Sequence, residues 1–467
     1  MPNPPLFQLD HALEQTEVRS YRAELENLQG NILKTHGRGA AVHVFLTFRR
    51  GKKIQVVKEF LRQFATDHVT SAAEQLRQIE RYKKARKRGL VIRERPGHPL
   101  GCLCLSAKGY RYLGLSTDRF SREFAMGMRA RRTSINDPSP DTWESKFQRR
   151  LDAMIILADD RVEHLTEQLG RLHEQLDGIA HISVEFGLTM RNEAENPIEH
   201  FGYVDGISQP LFFTGDLRTS SKKWKPPKGW NPLAAPNLVL VKDPYGGSQR
   251  ACGTYFVFRK LEQNVRGFKA REEELADELD LHDRDDRERA GAMVVGRFED
   301  GTPLASKGVA GTRQKPQNNF NYERDSGGNR CPFSAHIRIT NPRTDNDKQH
   351  RIARRGITYG DPTPPGDDLD ALPEGGVGLL FQCCQADLKE QFEYLQRLAN
   401  QQGPPRPGGL DPLIGQSNRR AFPRLEFPSG WDRPKPVRQQ FSFHGFVKLK
   451  GGEYFFMPSI SFCKNLR

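Results

Sequence analysis

Three side chains in this sequence are of the types that proton transfer, metal ligation and charge stabilisation require. Asp205 lies in residues 201–210 (FGYVDGISQP), and His336 lies in residues 331–343 (CPFSAHIRITNPR). An arginine doublet, Arg354-Arg355, follows closely. A carboxylate can relay a proton, a neutral imidazole can ligate a metal, and a permanently charged guanidinium can stabilise developing negative charge. The set therefore contains a carboxylate, an imidazole and a guanidinium that could together make a site.

Each of these features is ambiguous when it is taken alone. Gly-x-x-Asp-Gly is a common tight-turn sequence in which the aspartate bonds to its own turn. A single histidine is commonly a core or surface residue, and an arginine doublet commonly faces solvent. The signal lies in the order of the three features and in the residues that surround them.

Together these stretches resemble the dye-decolorising peroxidases, a haem family with a Gly-x-x-Asp-Gly loop, then a proximal histidine, then a distal arginine. Other phrases carry the same resemblance, which covers most of the chain from about residue 28 to residue 398. They are residues 28–34 (LQGNILK), 253–261 (GTYFVFRKL), 293–304 (MVVGRFEDGTPL) and 378–381 (GLLF). The basic residues 81–95 depart from the family pattern.

The resemblance implies a haem b group, held non-covalently, one per chain. His336 would ligate the iron, because peroxidase haem commonly has one histidine ligand and an open opposite face. Asp205 would relay the peroxide proton, and Arg354, the first arginine of the doublet, would stabilise the departing hydroxide. Strand alternation would turn Arg355 the other way.

The resemblance also assigns residues around the haem. Arg343 matches the family's contact to a haem propionate, and Leu379 and Phe381, two residues apart on one strand face, match the distal apolar wall. A carboxylate commonly accepts a hydrogen bond from the second nitrogen of a ligating histidine, and Asp387 is the residue proposed for this partner.

Other histidines compete with His336 as the iron ligand. His350 is the main rival, although its charged neighbours favour a surface position. The remaining candidates are His181, His200 and His444.

The implied activity is reduction of hydrogen peroxide and one-electron oxidation of dyes, phenolics and related aromatic donors. An aspartate relay stays ionised in acid better than a histidine relay, so turnover should favour acidic conditions. Bulky donors would pass electrons through a surface aromatic residue. The candidates are Trp224, Trp230, Trp431 and Tyr359.

Composition limits the other possibilities. The chain has 467 residues and a net charge of +14, which favours anionic dyes. No apolar run reaches the roughly 18 residues of a membrane span, and residues 1–10 lack a signal-peptide pattern, which predicts a cytoplasmic protein without a membrane partner. The seven cysteines include no Cys-x-x-Cys-His haem-attachment motif.

Two other classes of function remain open. A non-catalytic haem-binding protein, or one that handles porphyrin or iron, would use the same pocket without turnover. A nucleic-acid-associated protein would use the basic residues 81–95, but these lack interleaved aromatic residues and the chain has no recognised nucleic-acid motif. The sequence therefore predicts no nucleic-acid partner, and it does not specify the oligomeric state.

Apolar spacing predicts the elements that must position these residues. Two glycine-led strands, at residues 37–48 and 375–384, each precede a helix with apolar residues three and four apart, which suggests a duplicated unit that opens each half. Further strands are predicted at residues 181–187 and 253–259. The resemblance implies an α+β fold of two ferredoxin-like domains, with antiparallel sheets, peripheral helices and the haem pocket between them. The predicted domains are residues 1–230, which carry the Gly-x-x-Asp-Gly loop, and 231–467, which carry His336 and Arg354.

Overall fold

The structure is a computed structural model that describes residues 10–51, 53–88, 98–217, 229–311, 317–363, 366, 368–400, 409–416 and 423–466. No helix among these residues is long and apolar enough to cross a membrane.

The strands in the described residues fall into one large antiparallel sheet and two small hairpins. They are β1 (Ala40–Phe48), β2 (Leu100–Ser106), β3 (Ala153–Asp159), β4 (Ala180–Leu188), β5 (Met190–Arg191), β6 (Pro197–Ile198), β7 (Val241–Lys242), β8 (Cys252–Gln263), β9 (Ala353–Arg354), β10 (Ile357–Tyr359), β11 (Gly378–Gln385), β12 (Leu425–Pro428), β13 (Arg438–Phe441) and β14 (Val447–Met457).

Helices cover the sheet and fill its connections. They are α1 (Gln15–Ser20), α2 (Arg22–Asn27), α3 (Ile54–Asp67), α4 (Ala72–Lys87), α5 (Ala107–Tyr112), α6 (Arg122–Met126), α7 (Met128–Arg131), α8 (Ser145–Gln148), α9 (Val162–Leu176), α10 (Val265–Glu278), α11 (Arg284–Val295), α12 (His336–Thr340), α13 (Glu393–Ala399) and α14 (Ile460–Lys464). One π-helical turn, Leu388–Phe392, leads directly into α13.

The large sheet contains two copies of one strand order. Its path is β10-β11-β8-β14-β2-β3-β1-β4, so the first half reads β2-β3-β1-β4 and the second half reads β10-β11-β8-β14. In both halves the first and third strands are central, and helices connect the first strand to the second and the third to the fourth. This is the ferredoxin-like arrangement, and the predicted α+β fold with two such halves is confirmed.

The two halves meet along both edges of their sheets. Hydrogen bonding between β14 and β2 joins one pair of edges. At the other pair, the Thr358 hydroxyl of β10 donates to the Leu188 carbonyl of β4 and accepts from the Met190 N–H. Phe45 of β1 packs on Phe258 of β8, with ring centroids 4.8 Å apart. The sheet therefore closes on itself around a core that both halves share.

The apolar periodicity explains why the individual elements form. In α3 the side chains of Val57, Phe60, Leu61 and Phe64 are buried, and they lie three and four residues apart on one face of the helix. Strand β1 is buried along nearly its whole length, as expected for a strand covered on both faces. Both elements agree with the prediction.

The predicted repeat, however, matched strands that occupy different positions in their two halves. Strand β1 is the first strand of its half, but β11 is the third strand of the second half, and that half opens with β8. A glycine-led strand followed by a helix occurs twice in a ferredoxin-like unit, so the local pattern cannot tell the first strand from the third. The boundary at residue 230 stays a prediction, because the sheet is continuous across the two halves.

Candidate active site

Asp205 is presented to a cavity by a short hairpin. The Asp205 N–H donates to the Pro197 carbonyl at 2.9 Å, and Ile198 and Val204 form an antiparallel bridge. Gly206 then reverses the chain with φ +79°, a value that favours glycine, although a Cβ there would meet no protein atom within 4 Å. The glycine is therefore required by the backbone conformation, and the Asp205 side chain, 29% exposed, lines the cavity.

Arg354 reaches the same carboxylate from the other half of the molecule. Its Nη1 lies 2.7 Å from Asp205 Oδ1, and its Nη2 donates to the Ile207 carbonyl at 3.0 Å. The Arg354 backbone N–H donates to Gln209 Oε1. Arg355 turns away, as predicted from alternation, and its Nε donates to the Asn31 carbonyl.

This pairing fixes the charge of Asp205. Burial would raise the pKa of Asp205, but the Arg354 guanidinium and the Gly206 N–H outweigh it, so the pKa lies below its ordinary value. Asp205 is therefore ionised at neutral pH and remains so into the acid range. An ionised carboxylate beside a fixed cation can accept a proton in a place where negative charge is stabilised.

His336 begins α12 and also lines the cavity. Its Nδ1 lies 2.8 Å from Oδ2 of Asp411, a fully buried carboxylate whose Oδ1 accepts the Leu413 and Ile414 N–H groups. Because Nδ1 donates to a carboxylate, Nε2 carries the free lone pair, and no described residue forms a hydrogen bond with it. The imidazole is oriented for ligating a metal through Nε2.

The predicted carboxylate partner, Asp387, was wrong. Its side chain instead accepts the Lys389 and Glu390 N–H groups and so begins the π-helical turn. Asp411 lies 75 residues after His336 in the sequence, so no local pattern could identify it.

We expect Asp411→Asn to weaken haem binding by about tenfold to a hundredfold. An amide oxygen can accept either from His336 Nδ1 or from the Leu413 and Ile414 N–H groups, so in both orientations the amide NH₂ group faces an N–H donor. Haem titration into the haem-free protein, followed by Soret absorbance, measures the loss. Asp387→Asn is the matched control and should bind haem normally; equal losses in both variants would remove the assigned role of Asp411.

Two buried arginines, Arg297 and Arg343, and the half-buried Arg351 give the cavity a surplus of positive charge. Arg297 and Arg343 both donate to the Ser208 hydroxyl and to Asn318 Oδ1, while Arg351 donates to backbone carbonyls. None of the three arginines forms an ion pair with any described residue. Burial lowers the pKa of Arg297 to about 9 and that of Arg343 to about 10, so both stay cationic at neutral pH.

Buried cations without acidic partners are costly, and a bound anion would offset that cost. Ser208 and Arg343 also have positive φ values, 63° and 66°, so the backbone there is held in a conformation that non-glycine residues seldom adopt. The cavity therefore fits a ligand with carboxylate groups, such as the propionates of haem. Arg297 and Arg351 were not identified from the sequence.

The rest of the wall is largely apolar. Leu379 and Phe381 of β11 both line the cavity, whereas Leu380 between them is fully buried on the opposite face. Leu379 pairs in register with Leu261 of β8, another wall residue. An apolar wall, a free imidazole nitrogen and a group of cations together fit haem.

The rival histidines do not line the cavity. His350 is buried, contrary to the predicted surface position, and its ring stacks on Tyr394 with centroids 3.8 Å apart. His200 bonds to the Tyr359 carbonyl, and His444 bonds to the Pro423 carbonyl. His181 is exposed on β4.

The proposed surface electron carriers are largely not at the surface. Trp230 and Tyr359 are buried, and the Trp230 ring lies within 6.0 Å of the cationic groups of Arg343, Arg351 and Lys348, which disfavour a further positive charge. Trp431 is half-buried and donates to the Leu304 carbonyl. Trp224 lies outside the described residues.

Comparison with known proteins agrees with this geometry. Residues 27–191 match the family described as DyP dimeric alpha+beta barrel domain, and residues 231–405 match Dyp-type peroxidase, C-terminal. The chain belongs to the dye-decolorising peroxidase family. It is an enzyme, a haem peroxidase that oxidises dyes with hydrogen peroxide.

Individual relatives are similar over nearly the whole chain. The multifunctional dye peroxidase DyP2 of an Amycolatopsis species is 38% identical, covering 95% of this chain and 96% of its own length. The crystal structure of a DyP-type peroxidase from an Anabaena species has a TM-score of 0.87 and 37% identity, covering 98% of this chain and 97% of that one. A deferrochelatase of Yersinia pseudotuberculosis is 29% identical over only 44% of this chain and 38% of its own length. The alternative of a non-catalytic haem protein is therefore not favoured.

Proposed function

We propose that Asp205, Arg354 and His336 perform the peroxide chemistry of this enzyme. The observation that carries the proposal is that one cavity is lined both by the Asp205–Arg354 pair and by an imidazole with a free nitrogen. Bound haem would supply the iron at which peroxide is reduced. Asp205 accepts the proton of one peroxide oxygen and delivers it to the other, and Arg354 stabilises the negative charge on the departing oxygen as the O–O bond breaks.

We propose one non-covalent haem b per chain, with His336 as the iron ligand. All seven cysteines are buried and free, and none lines the cavity, which supports non-covalent binding. Arg343, together with Arg297, would hold the propionates. Leu379 and Phe381 would form part of the apolar wall against the porphyrin.

We propose that both halves of the chain contribute to the site. Asp205 would come from the first domain, residues 1–230, and His336 and Arg354 from the second, residues 231–467. The contact between Asp205 and Arg354 supports a shared site, because it joins a carboxylate and a guanidinium that lie 149 residues apart in sequence.

We propose anionic dyes, phenolics and related aromatic compounds as the electron donors. The net charge of +14 supports a preference for sulfonated dyes, since opposite charge increases the local concentration of the donor. A phenol carries no charge at acidic pH, so its oxidation should depend little on salt.

Spectroscopy and turnover with the purified protein test the proposed function. The haem-loaded protein should show a Soret band that shifts on addition of hydrogen peroxide and returns when a dye or phenol is added. The Michaelis constant for a sulfonated dye should rise with salt, while that for an uncharged phenol should stay nearly constant. A Soret band that does not respond to peroxide would instead indicate haem binding without turnover.

A further inference from the structure

The hairpin that presents Asp205 is closed at its tip by a second carboxylate. The Glu199 N–H donates to the Tyr203 carbonyl at 3.1 Å, and the Gly202 N–H donates back to the Glu199 carbonyl at 2.9 Å. The Glu199 side chain then accepts the Phe201 N–H at 3.0 Å on Oε2 and the Tyr203 N–H at 3.1 Å on Oε1. One side chain therefore satisfies two backbone donors of the five-residue tip.

Glu199 also ties this hairpin to the second half of the molecule. The Gln263 Nε2 atom, at the end of β8, donates to Glu199 Oε2. Glu199 and Gln263 both line the cavity that Asp205 lines. The tip of the hairpin is thus fixed against β8 of the large sheet. The last residue of the tip, Tyr203, lies two residues before Asp205.

The surroundings of Glu199 place its pKa near neutrality, so both its protonated and its ionised form occur near pH 7. Burial raises the pKa of Glu199 to about 7, although hydrogen bonds from Phe201, Gln263 and Tyr203 oppose this and the Asp205 charge adds to it. The titratable groups that face it are Asp205 and Tyr203, and the adjacent His200 ring bonds instead to the Tyr359 carbonyl.

The Gln263 amide can serve both forms of Glu199. In the present orientation its Nε2 donates to the carboxylate, while its Oε1 is buried and has no hydrogen-bond partner among the described residues. A turned-over amide would place Oε1 against Glu199, where it could accept the O–H of the protonated acid. The two groups can therefore remain bonded in either state.

We propose that Glu199 is the positioning residue for Asp205, and that the Glu199–Gln263 pair holds the hairpin in both the protonated and the ionised state. The inference rests on the proposed function, because it assigns Glu199 a role in the peroxide step that Asp205 performs. Ionised Glu199 places a second negative charge beside Asp205 and opposes the stabilisation that Arg354 provides. The peroxide step should therefore slow as Glu199 loses its proton.

The main test compares Glu199→Gln with a matched control, Glu288→Gln. Burial and the nearby Glu299 raise the pKa of Glu288 to about 7 as well, but Glu288 does not line the cavity. In the parent protein and in Glu288→Gln, the rate constant with peroxide should fall on the order of threefold to tenfold as pH rises through about 7. In Glu199→Gln this step should be absent.

Two further measurements do not depend on turnover. Infrared difference spectra between pH 6 and pH 8 should lose one protonated-carboxyl band in Glu199→Gln and a different one in Glu288→Gln. Hydrogen–deuterium exchange of residues 198–206 should be faster in Glu199→Gln than in Glu288→Gln, because its amide cannot accept from both backbone N–H groups. These readouts apply to the purified protein whatever its haem content, so a failure of the role proposed for Asp205 in the peroxide step would be recognised separately.

Gln263→Met provides a second variant that keeps the carboxylate. Met can neither donate to the carboxylate nor accept from the protonated acid, so hydrogen–deuterium exchange of residues 198–206 should be faster than in the parent protein at both pH 6 and pH 8. The proposal is overturned if Glu199→Gln retains the step and the band, or if residues 198–206 exchange no faster in Gln263→Met than in the parent protein at either pH.

Discussion

Asp205→Ala will slow the reaction of the haem-loaded enzyme with hydrogen peroxide by about 10²- to 10⁴-fold, while its haem content stays that of the parent. The carboxylate supplies the proton transfer, and alanine leaves no group at that place that could replace it. Stopped-flow absorbance at the Soret band measures the rate constant. Asp361→Asn, at an exposed position outside the cavity, is the control and should react normally.

The same measurement across pH shows how Arg354 contributes. In the parent, Arg354 lowers the pKa of Asp205, so the relay stays ionised and the rate is maintained well into the acid range. In Arg354→Ala the pKa of Asp205 rises, so the rate should fall at a higher pH as the solution is acidified. Its plateau should also drop by about 10²- to 10³-fold, because the fixed charge is lost. An Asp205→Ala protein that reacts as fast as the parent would exclude this relay.

His336→Ala will abolish haem binding or reduce it to loose, readily dissociated haem. The iron would lose its protein ligand. The arginines could then hold only the propionates, and the apolar wall only the face of the porphyrin. Soret absorbance and haem content after gel filtration measure this directly. Added imidazole should restore part of the Soret band, because the space left by the side chain can admit a free ligand.

His350→Ala is the control for the ligand assignment. His350 is the rival nearest in sequence, and the structure stacks it on Tyr394 outside the cavity wall. It should retain haem and peroxide reactivity, with at most a loss of stability. Haem retained by His336→Ala but lost by His350→Ala would reverse the assignment.

Individual strands and helices of the fold could be predicted from local patterns in the sequence. Strand β1 and helix α3 follow from runs of buried residues at periods that the chain itself displays. The pairing of these elements does not follow from them. The repeat was assigned to β1 and β11 because both are glycine-led strands before a helix, yet only the strand order shows that β11 is a third strand.

The site could be predicted in its chemistry and only partly in its contacts. Asp205, His336 and Arg354 were identified because each stands in a distinctive phrase. Asp411 and Glu199 were not, because a carboxylate that accepts hydrogen bonds from a distant histidine or from its own hairpin tip has no signature in the residues beside it. Likewise Trp230 was a plausible surface residue until the packing showed it buried among cations.

The sequence by itself determined which groups are proposed to do the chemistry, and the family resemblance it carries predicted two α+β halves, because residue types and their order are properties of the chain. Only the tertiary structure decided which groups meet. The pairing of Asp205 with Arg354, of His336 with Asp411, and of two arginines on Ser208 joins segments between 75 and 149 residues apart. Such contacts, and the burial that shifts the charges within them, depend on how the two halves close around one cavity, and that closure has no local trace in the chain.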